Sequence, residues 1–379
     1  MAQFGALIVT GGMTHQENYA TGFKADARCR VVAVTDEKGV DQRRGALNRK
    51  LAGELGVPYI ADLDEALRQP GVDFVSICTE HHRQGRVSIR CAEAGKHLYV
   101  DKPLAGSLEE ARRLTRIAGE RKLVTQMFTQ LHFPYAIRLA RHVNSGKLGE
   151  LKAIHSDLFF AKGHTASLTL SPRKETETPR PDHFLVSDAK REMFNIAVYS
   201  LTLIRHLTQR RRFVSVQAVT GNYFLGQNKQ RDMEDFGALM VTLEGGVTAT
   251  IASGRTGWYS HPGGGHNRTR LVGTRGSVTV DGWATRGEIT ADTAKGWRVP
   301  PVNPEDPMAF WASSDQRKTG GTEWFLPPAP VPSDQAVFLD CLEGKRKPAC
   351  TVADGTAVIE TLFAAYRSAA RGAAVTLPL

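Results

Sequence analysis

Ala94-Gly-Lys-His-Leu-Tyr-Val-Asp-Lys-Pro-Leu104 places an acid, an amine and a proline, in that order, at the end of a short apolar run. Leu98 to Val100 reads as a buried parallel strand. Pro103 disfavours helical geometry in the residue before it, so Asp101 and Lys102 are expected in an extended segment at a strand's carboxyl end. Open α/β sheets keep their ligand crevices at such ends. An isolated Asp-Lys-Pro is as readily a solvated turn, since lysine is mostly exposed. Its place after a series of alternating strand and helix signals makes Lys102 the first candidate for a catalytic group.

Working outward, Ala6 to Val9 and Val31 to Val34 are continuous apolar runs that bracket a segment of helical length, the pattern of a βαβ unit. A further run follows at Phe74 to Cys78, and helices are expected at about 41–55, 62–69 and 84–94, the second opened by Asp62 as N-cap. These signals predict a doubly wound parallel α/β sheet over residues 1–130. Beyond it, a helix is expected from Pro134 to the stop signal Asn144-Ser-Gly146. Longer β-branched segments then occupy 152–160, 213–223, 238–243, 247–252, 268–272 and 277–280, with turns at Glu244-Gly-Gly246 and Gly273-Thr-Arg-Gly276. With helices at about 190–208, 333–345 and 353–371, residues 131–379 are expected to form a second α/β domain on a large, mostly antiparallel open sheet. The stretches 163–190 and 296–332, rich in Pro, Ser, Thr and charge, read as long loops of the kind that serve as lids or specificity elements.

A length of 379 residues fits two ordinary domains, and 41% apolar with 23% charged residues describes a globular chain. The excess of 49 Lys and Arg over 39 Asp and Glu gives +10, but the charges are scattered and no nucleic-acid motif accompanies them. Five cysteines without a C-x-x-C pair argue against a disulfide framework or a metal site. The amino terminus lacks the features of a signal peptide, and no apolar run approaches the roughly 18 residues needed to span a bilayer, so a cytoplasmic protein without a membrane partner is expected.

After the first strand comes Thr10-Gly11-Gly12-Met13-Thr14-His15, where a dinucleotide fingerprint asks for G-x-G-x-x-G. Gly12 alone is in register, yet a glycine turn feeding a helix N-terminus still offers backbone N–H groups to a diphosphate, which makes Gly11, Gly12 and Met13 candidates. Asp36 ends the second strand about 24 residues beyond Gly12, where a carboxylate accepts ribose hydroxyls and disfavours a 2′-phosphate, so NAD is expected. Lys38, Arg43 and Arg44 stand close behind and keep NADP as the alternative. Thr79, at the end of the Phe74 to Cys78 strand, is placed over the cofactor and His82 to reach its nicotinamide half, although either histidine of His81-His82 is as readily a helix-start surface residue.

Cys78-Thr-x-x-His82, Glu93 to Leu104, and the tail from Phe338-Leu-Asp340 through Ala353-Asp-Gly355 and Ala364-Ala-Tyr366 to Val375-Thr-Leu-Pro378 together resemble the Gfo/Idh/MocA oxidoreductase family, the group of glucose-fructose oxidoreductase and inositol 2-dehydrogenase. The resemblance implies an N-terminal Rossmann domain, a C-terminal open-sheet domain, a nicotinamide cofactor between them, and homodimers or homotetramers built across that sheet. It also implies that Asp101 stands where the family has a glutamate contacting the nicotinamide ribose, and that Lys102 takes the catalytic lysine position. Where family members carry an Asp and a His four residues apart on one helix, this chain has Asn195 and Tyr199.

Asn195, Tyr199 and Thr202 share one helix face at i, i+4 and i+7, which is also the pattern of a half-buried amphipathic stripe. Alcohol oxidation needs a proton acceptor, and an ammonium such as Lys102 beside Tyr199 is expected to lower the phenol from its ordinary value of about 10, making Tyr199 the acceptor and Lys102 the group that polarises the oxygen. Gln126, Gln130 and His132 follow a strand and are placed to reach substrate hydroxyls; Arg180 and His183 are placed to meet an anionic group, and Trp258-Tyr259 and Trp324-Phe325 to stack on sugar faces. The expected activity is an NAD(P)-dependent dehydrogenase acting on a hydroxyl carbon of a sugar, sugar acid or polyol, with redox-neutral glycoside cleavage or elimination and a non-catalytic dinucleotide sensor as alternatives.

Overall fold

The computed structural model describes residues 3–10, 15–40, 42–161, 191–223, 234–256, 265–282, 286–291, 321–325 and 331–379. The amino-terminal third alternates strand and helix: β1 (Phe4–Thr10), α1 (His15–Ala25), β2 (Cys29–Thr35), α2 (Gln42–Leu55), β3 (Tyr59–Ile60), α3 (Leu63–Leu67), β4 (Phe74–Cys78), α4 (His81–Glu93), β5 (His97–Val100), α5 (Leu108–Glu120) and β6 (Thr125–Met127). All pairings are parallel and give the order β3-β2-β1-β4-β5-β6. This is the doubly wound Rossmann order, and its reversal between β1 and β4 opens a crevice at the strands' carboxyl ends. Every residue of β4 is buried, as a strand covered on both faces requires.

Caps set the helix limits. The Asp62 carboxylate accepts from Asp64 N at 2.9 Å and opens the short α3. The helix α5 lies outside the sequence expectation; Ser107 Oγ accepts from Glu110 N at 3.2 Å, and Ala111, Leu114, Ile117 and Ala118 form its buried face. Such a cap contributes about 1 kcal/mol.

The second sheet follows α6 (Pro134–Asn144). It comprises β7 (Leu151–Ala161), β8 (Phe213–Gly221), β9 (Phe236–Leu243), β10 (Thr248–Thr256), β11 (Gly265–Gly273), β12 (Gly276–Asp281), β13 (Arg286–Ala291), β14 (Gly321–Phe325) and β15 (Val375–Thr376), in the order β14-β13-β12-β11-β7-β10-β9-β8-β15. The β7/β10 pair is parallel and the other pairings are antiparallel. The helix α7 (Glu192–Leu207) is buried along nearly its whole length and covers one face, while Val219 and Met240 lie exposed. One correction concerns the loop expected over 296–332: within it, Gly321–Phe325 pairs with β13, because a strand partner outweighs a composition typical of loops.

The last helices, α8 (Asp334–Leu342) and α9 (Val352–Arg371), reach back to the first domain, α9 while still packing on β8 and α7 beside the second sheet. Phe338 of α8 packs its ring 5.3 Å from Phe74 and 5.5 Å from Tyr99, inside the first core, and Arg28 holds Asp340 at 2.7 Å and Glu343 at 2.9 Å. The helix α9 begins with a reciprocal Thr351–Asp354 capping box. Gly355 then lets it approach closely, since a Cβ there would stand 3.0 Å from Leu104 Cδ2 and 3.1 Å from Met127 Sδ. The first sheet is therefore tied to the second at the strand ends that carry Asp101 and Lys102. No described helix is long and apolar enough to cross a membrane, and none of the five cysteines forms a disulfide.

Candidate active site

At the carboxyl ends of β4 and β5, Gln84 of α4 clamps two strands. Its Oε1 accepts from Thr79 N at 2.9 Å and from Thr79 Oγ1 at 3.0 Å, while its Nε2 donates to the Asp101 carbonyl at 2.5 Å. The Asp101 carboxylate is buried, accepts from Tyr19 Oη at 2.7 Å and Cys78 Sγ at 3.3 Å, and lies 3.1 Å from His15 Nδ1. Burial alone would raise its pKa, but the His15 contact, the Lys102 charge and the Tyr19 hydrogen bond outweigh it and hold the carboxyl below its ordinary range.

Lys102 is 3% exposed, and its Nζ donates to Asn195 Oδ1 at 2.7 Å and to the Asn195 carbonyl at 3.0 Å. Burial pulls the amine down to about 8 against the opposing charge of Asp101, and Arg255 adds to the lowering. The same Nζ stands 4.8 Å from the centroid of the Tyr199 ring. It meets the ring's face, an arrangement that binds a cation through the aromatic quadrupole. Burial, followed by the Asp101 charge, pushes the Tyr199 hydroxyl well above its ordinary value. The expectation that Lys102 lowers Tyr199 is thereby corrected: desolvation exceeds any help from the ammonium. Thr202, on the same face, donates its hydroxyl to the Val198 and Tyr199 carbonyls, both at 2.9 Å, and so serves its own helix.

At the other end of the crevice Asp36 is fully buried. Its Oδ1 accepts from Arg83 Nη1 and from Glu37 N, both at 2.8 Å, and its Oδ2 from Asn48 Nδ2 at 3.3 Å. The carboxylate expected to face a ribose is thus already occupied, chiefly by Arg83. Of the cations that kept NADP open, Lys38 pairs with Asp62 at 2.7 Å and Arg44 donates to Glu80 at 2.7 Å. The Arg43 side chain, and Gly11, Gly12 and Met13, lie outside the described residues. Thr79 is fixed by Gln84, and His82 occupies the first turn of α4, half-buried.

Among the substrate candidates, Gln130 is buried and accepts from Tyr135 Oη at 2.7 Å. His132 is held against α8 through its Nδ1, which lies 2.5 Å from Asp334 Oδ1, and Asp334 Oδ2 also accepts from Tyr99 Oη at 2.8 Å and Gln126 Nε2 at 2.9 Å. A buried acceptor on α8 draws His132 and Gln126 into a structural junction. Arg180, His183 and Trp258-Tyr259 lie outside the described residues, as do the side chains of Trp324 and Phe325. Sequence reasoning missed Gln84, His15, Tyr19 and Arg255. His15 and Gln84 each stand in the first turn of the helix that follows a crevice strand, a placement readable in the chain; Tyr19 and Arg255 carried no such signal.

A doubly wound sheet, an α1 that opens at the crevice, and buried carboxylates ending β2 and starting the β5 crossover form the frame of a dinucleotide-binding domain. Comparison with known proteins agrees. Residues 4–129 match the model described as "Oxidoreductase family, NAD-binding Rossmann fold", and residues 137–279 match the GFO/IDH/MocA C-terminal domain. The chain belongs to the GFO/IDH/MocA oxidoreductase family. It is 26% identical to scyllo-inositol 2-dehydrogenase (NAD(+)) of Bacillus subtilis over 254 residues, 65% of this chain and 66% of that protein. It is also 26% identical to 1-carboxy-3-chloro-3,4-dihydroxycyclohexa-1,5-diene dehydrogenase of Comamonas testosteroni over 264 residues, 67% of this chain and 61% of that protein. Both alignments span slightly less than two thirds of the relatives' own length. A levoglucosan dehydrogenase solved with NADH and levoglucosan superposes over 100% of both chains with a TM-score of 0.74 at 16% identity, a likeness of fold.

Proposed function

We propose that this chain is an NAD-dependent dehydrogenase that oxidises a hydroxyl-bearing carbon of a sugar, sugar acid or polyol. One observation carries the reading: a buried lysine amine, drawn down to about 8, held by the neutral side chain of Asn195 just beyond the carboxyl end of β5. A general base works best when its pKa lies near the operating pH. Relatives named as dehydrogenases of inositol and of a carboxylated dihydroxy ring support an alcohol carbon as the reacting centre.

NAD, when bound, supplies the hydride acceptor. The residues that would hold it are Asp101, which remains ionised and, beside its bonds from Tyr19, His15 and Cys78, keeps lone pairs for a ribose hydroxyl, Thr79 at the end of β4, and the N-terminus of α1. The fit favours NAD over NADP, since Arg44 and Lys38 are each already paired with a carboxylate. Lys102 Nζ takes the hydroxyl proton in its unprotonated form, while Asn195 fixes the amine's position. Tyr199, its hydroxyl held well above its ordinary value by burial, keeps its proton and would serve the substrate as a donor rather than as a base. The burial of Lys102 and Tyr199 keeps bulk water from competing for that proton.

The test is incubation of the purified chain with NAD, then NADP, against aldoses, uronates, inositols and glycosides, reading reduced nicotinamide by absorbance. Accumulation with NAD that is lost in Lys102→Met supports the reading. Glycoside cleavage without accumulation of reduced cofactor would replace it with the redox-neutral alternative.

A further inference from the structure

Resting on the dehydrogenase reading, we propose that Arg255 binds a carboxylate on the substrate, so that this enzyme acts on an acidic sugar or polyol acid in preference to its neutral counterpart. Arg255 lies one residue from the end of β10, directly across from Phe160 of β7. Its backbone is pinned by an N–H donated to the Asp235 carbonyl at 2.8 Å. Gly254 before it adopts φ 152°, and a Cβ there would lie 2.0 Å from the Asp235 carbonyl oxygen, so no other residue allows this approach. The side chain is anchored as well. Its Nε donates to Glu192 Oε2 at 2.8 Å, and its guanidinium carbon sits 5.5 Å from the centroid of the Phe160 ring.

Phe160 links this group to the reacting centre. Its ring is 6.1 Å from that of Tyr199, which in turn lies under Lys102 Nζ at 4.8 Å. Burial lowers the Lys102 amine and the Asp101 charge opposes this; the Arg255 charge adds to the lowering. Among the described residues only the Nε of the guanidinium is engaged; Nη1 and Nη2 have no partner there, and the side chain is 14% exposed. Two coplanar N–H donors on a fixed plane match the two oxygens of a carboxylate. Glu192 occupies the Nε edge and sets that plane. A neutral sugar would leave the remaining donors desolvated without an acceptor.

The experiment is calorimetric titration of the full chain loaded with NADH. The ligands are glucose, glucuronate, galactose, galacturonate, gluconate and glucose 6-phosphate, and the proteins are wild type, Arg255→Gln and Arg255→Lys. At least one of the three carboxylates is expected to bind about tenfold or more tightly than a neutral hexose, with about a ten- to hundredfold loss in Arg255→Gln, an intermediate loss in Arg255→Lys, and neutral hexose binding unchanged. Equal affinity for acid and neutral sugar, an equal loss of both in the variants, no binding of any carboxylate, or a preference for the phosphate would overturn the proposal. Failure of the chain to bind NADH would instead overturn the reading on which it rests.

Discussion

Replacing Asn195 by aspartate would put a carboxylate where Lys102 Nζ now meets an amide oxygen at 2.7 Å. At that separation two unit charges attract by about 6 kcal/mol for an effective dielectric of about 20, and desolvation of the new carboxylate takes back several kcal/mol. The remainder corresponds to the rise of about one to three pKa units that a close opposite charge produces. The Lys102 amine, now at about 8, would then titrate at about 9 to 11. If the unprotonated amine accepts the hydroxyl proton, wild-type kcat/KM climbs with pH to a midpoint of about 8. The Asn195→Asp limb moves up by about one to three units, so the variant is about tenfold to a thousandfold slower at neutral pH and recovers as the pH approaches its new midpoint. Steady-state rates across about pH 6 to 10 measure both limbs. A variant slowed by one factor at every pH, or a flat wild-type profile, would refute the assignment of Lys102 as base.

Tyr199→Phe removes a hydrogen-bond donor and no base, so kcat is expected to fall about tenfold with the rising limb unmoved; disappearance of that limb would return the role of acceptor to the tyrosine. Lys102→Met tests the cost of the buried amine. The folded pKa of about 8 lies below the ordinary lysine value, so the unfolded chain binds the extra proton between about 8 and 10.4 and stability rises with pH across that window. Below it the amine costs about 3 kcal/mol, and Lys102→Met is expected to stabilise the chain at neutral pH by about 1–3 kcal/mol in urea unfolding while abolishing turnover; an unchanged midpoint would count against this. Asp334→Ala strips the acceptor from Tyr99, Gln126 and His132 together. It should lower stability by about 2–4 kcal/mol with NAD affinity preserved, as thermal unfolding beside cofactor titration would report.

The first sheet was legible because a parallel sheet covered on both faces demands continuous apolar runs, and Phe74 to Cys78 is such a run with every side chain buried. Two-residue strands such as Tyr59–Ile60 and Val375–Thr376 are too short to show any period and exist only through their neighbours. The chain does carry a start signal for α5 in Ser107 and Glu110, and the interval between parallel strands ending at Val100 and starting near Leu123 has room for a crossover helix. The return of α8 to the first core was not legible, since an aromatic at Phe338 suits either domain and only the docking of Arg28 against Asp340 and Glu343 decides which.

The candidate site divides along the same line. Residues that matter through position, such as Asp101 and Lys102 at a strand end, can be read from local order, whereas their charge states depend on groups distant in sequence. The i, i+4 spacing of Asn195 and Tyr199 puts both on one helix face but says nothing of how Lys102 approaches them. In the structure the ammonium meets the face of the phenol ring at 4.8 Å, while Asp101 contributes the second largest push upward on the hydroxyl. Among the described residues Lys102 itself finds only the uncharged Asn195 as acceptor, in surroundings that disfavour its protonated form. As pH rises the amine therefore loses its proton long before the phenol does. On the proposed reading that order selects the base, and it follows first from the burial of the Lys102 amine, which meets the uncharged Asn195 rather than a carboxylate.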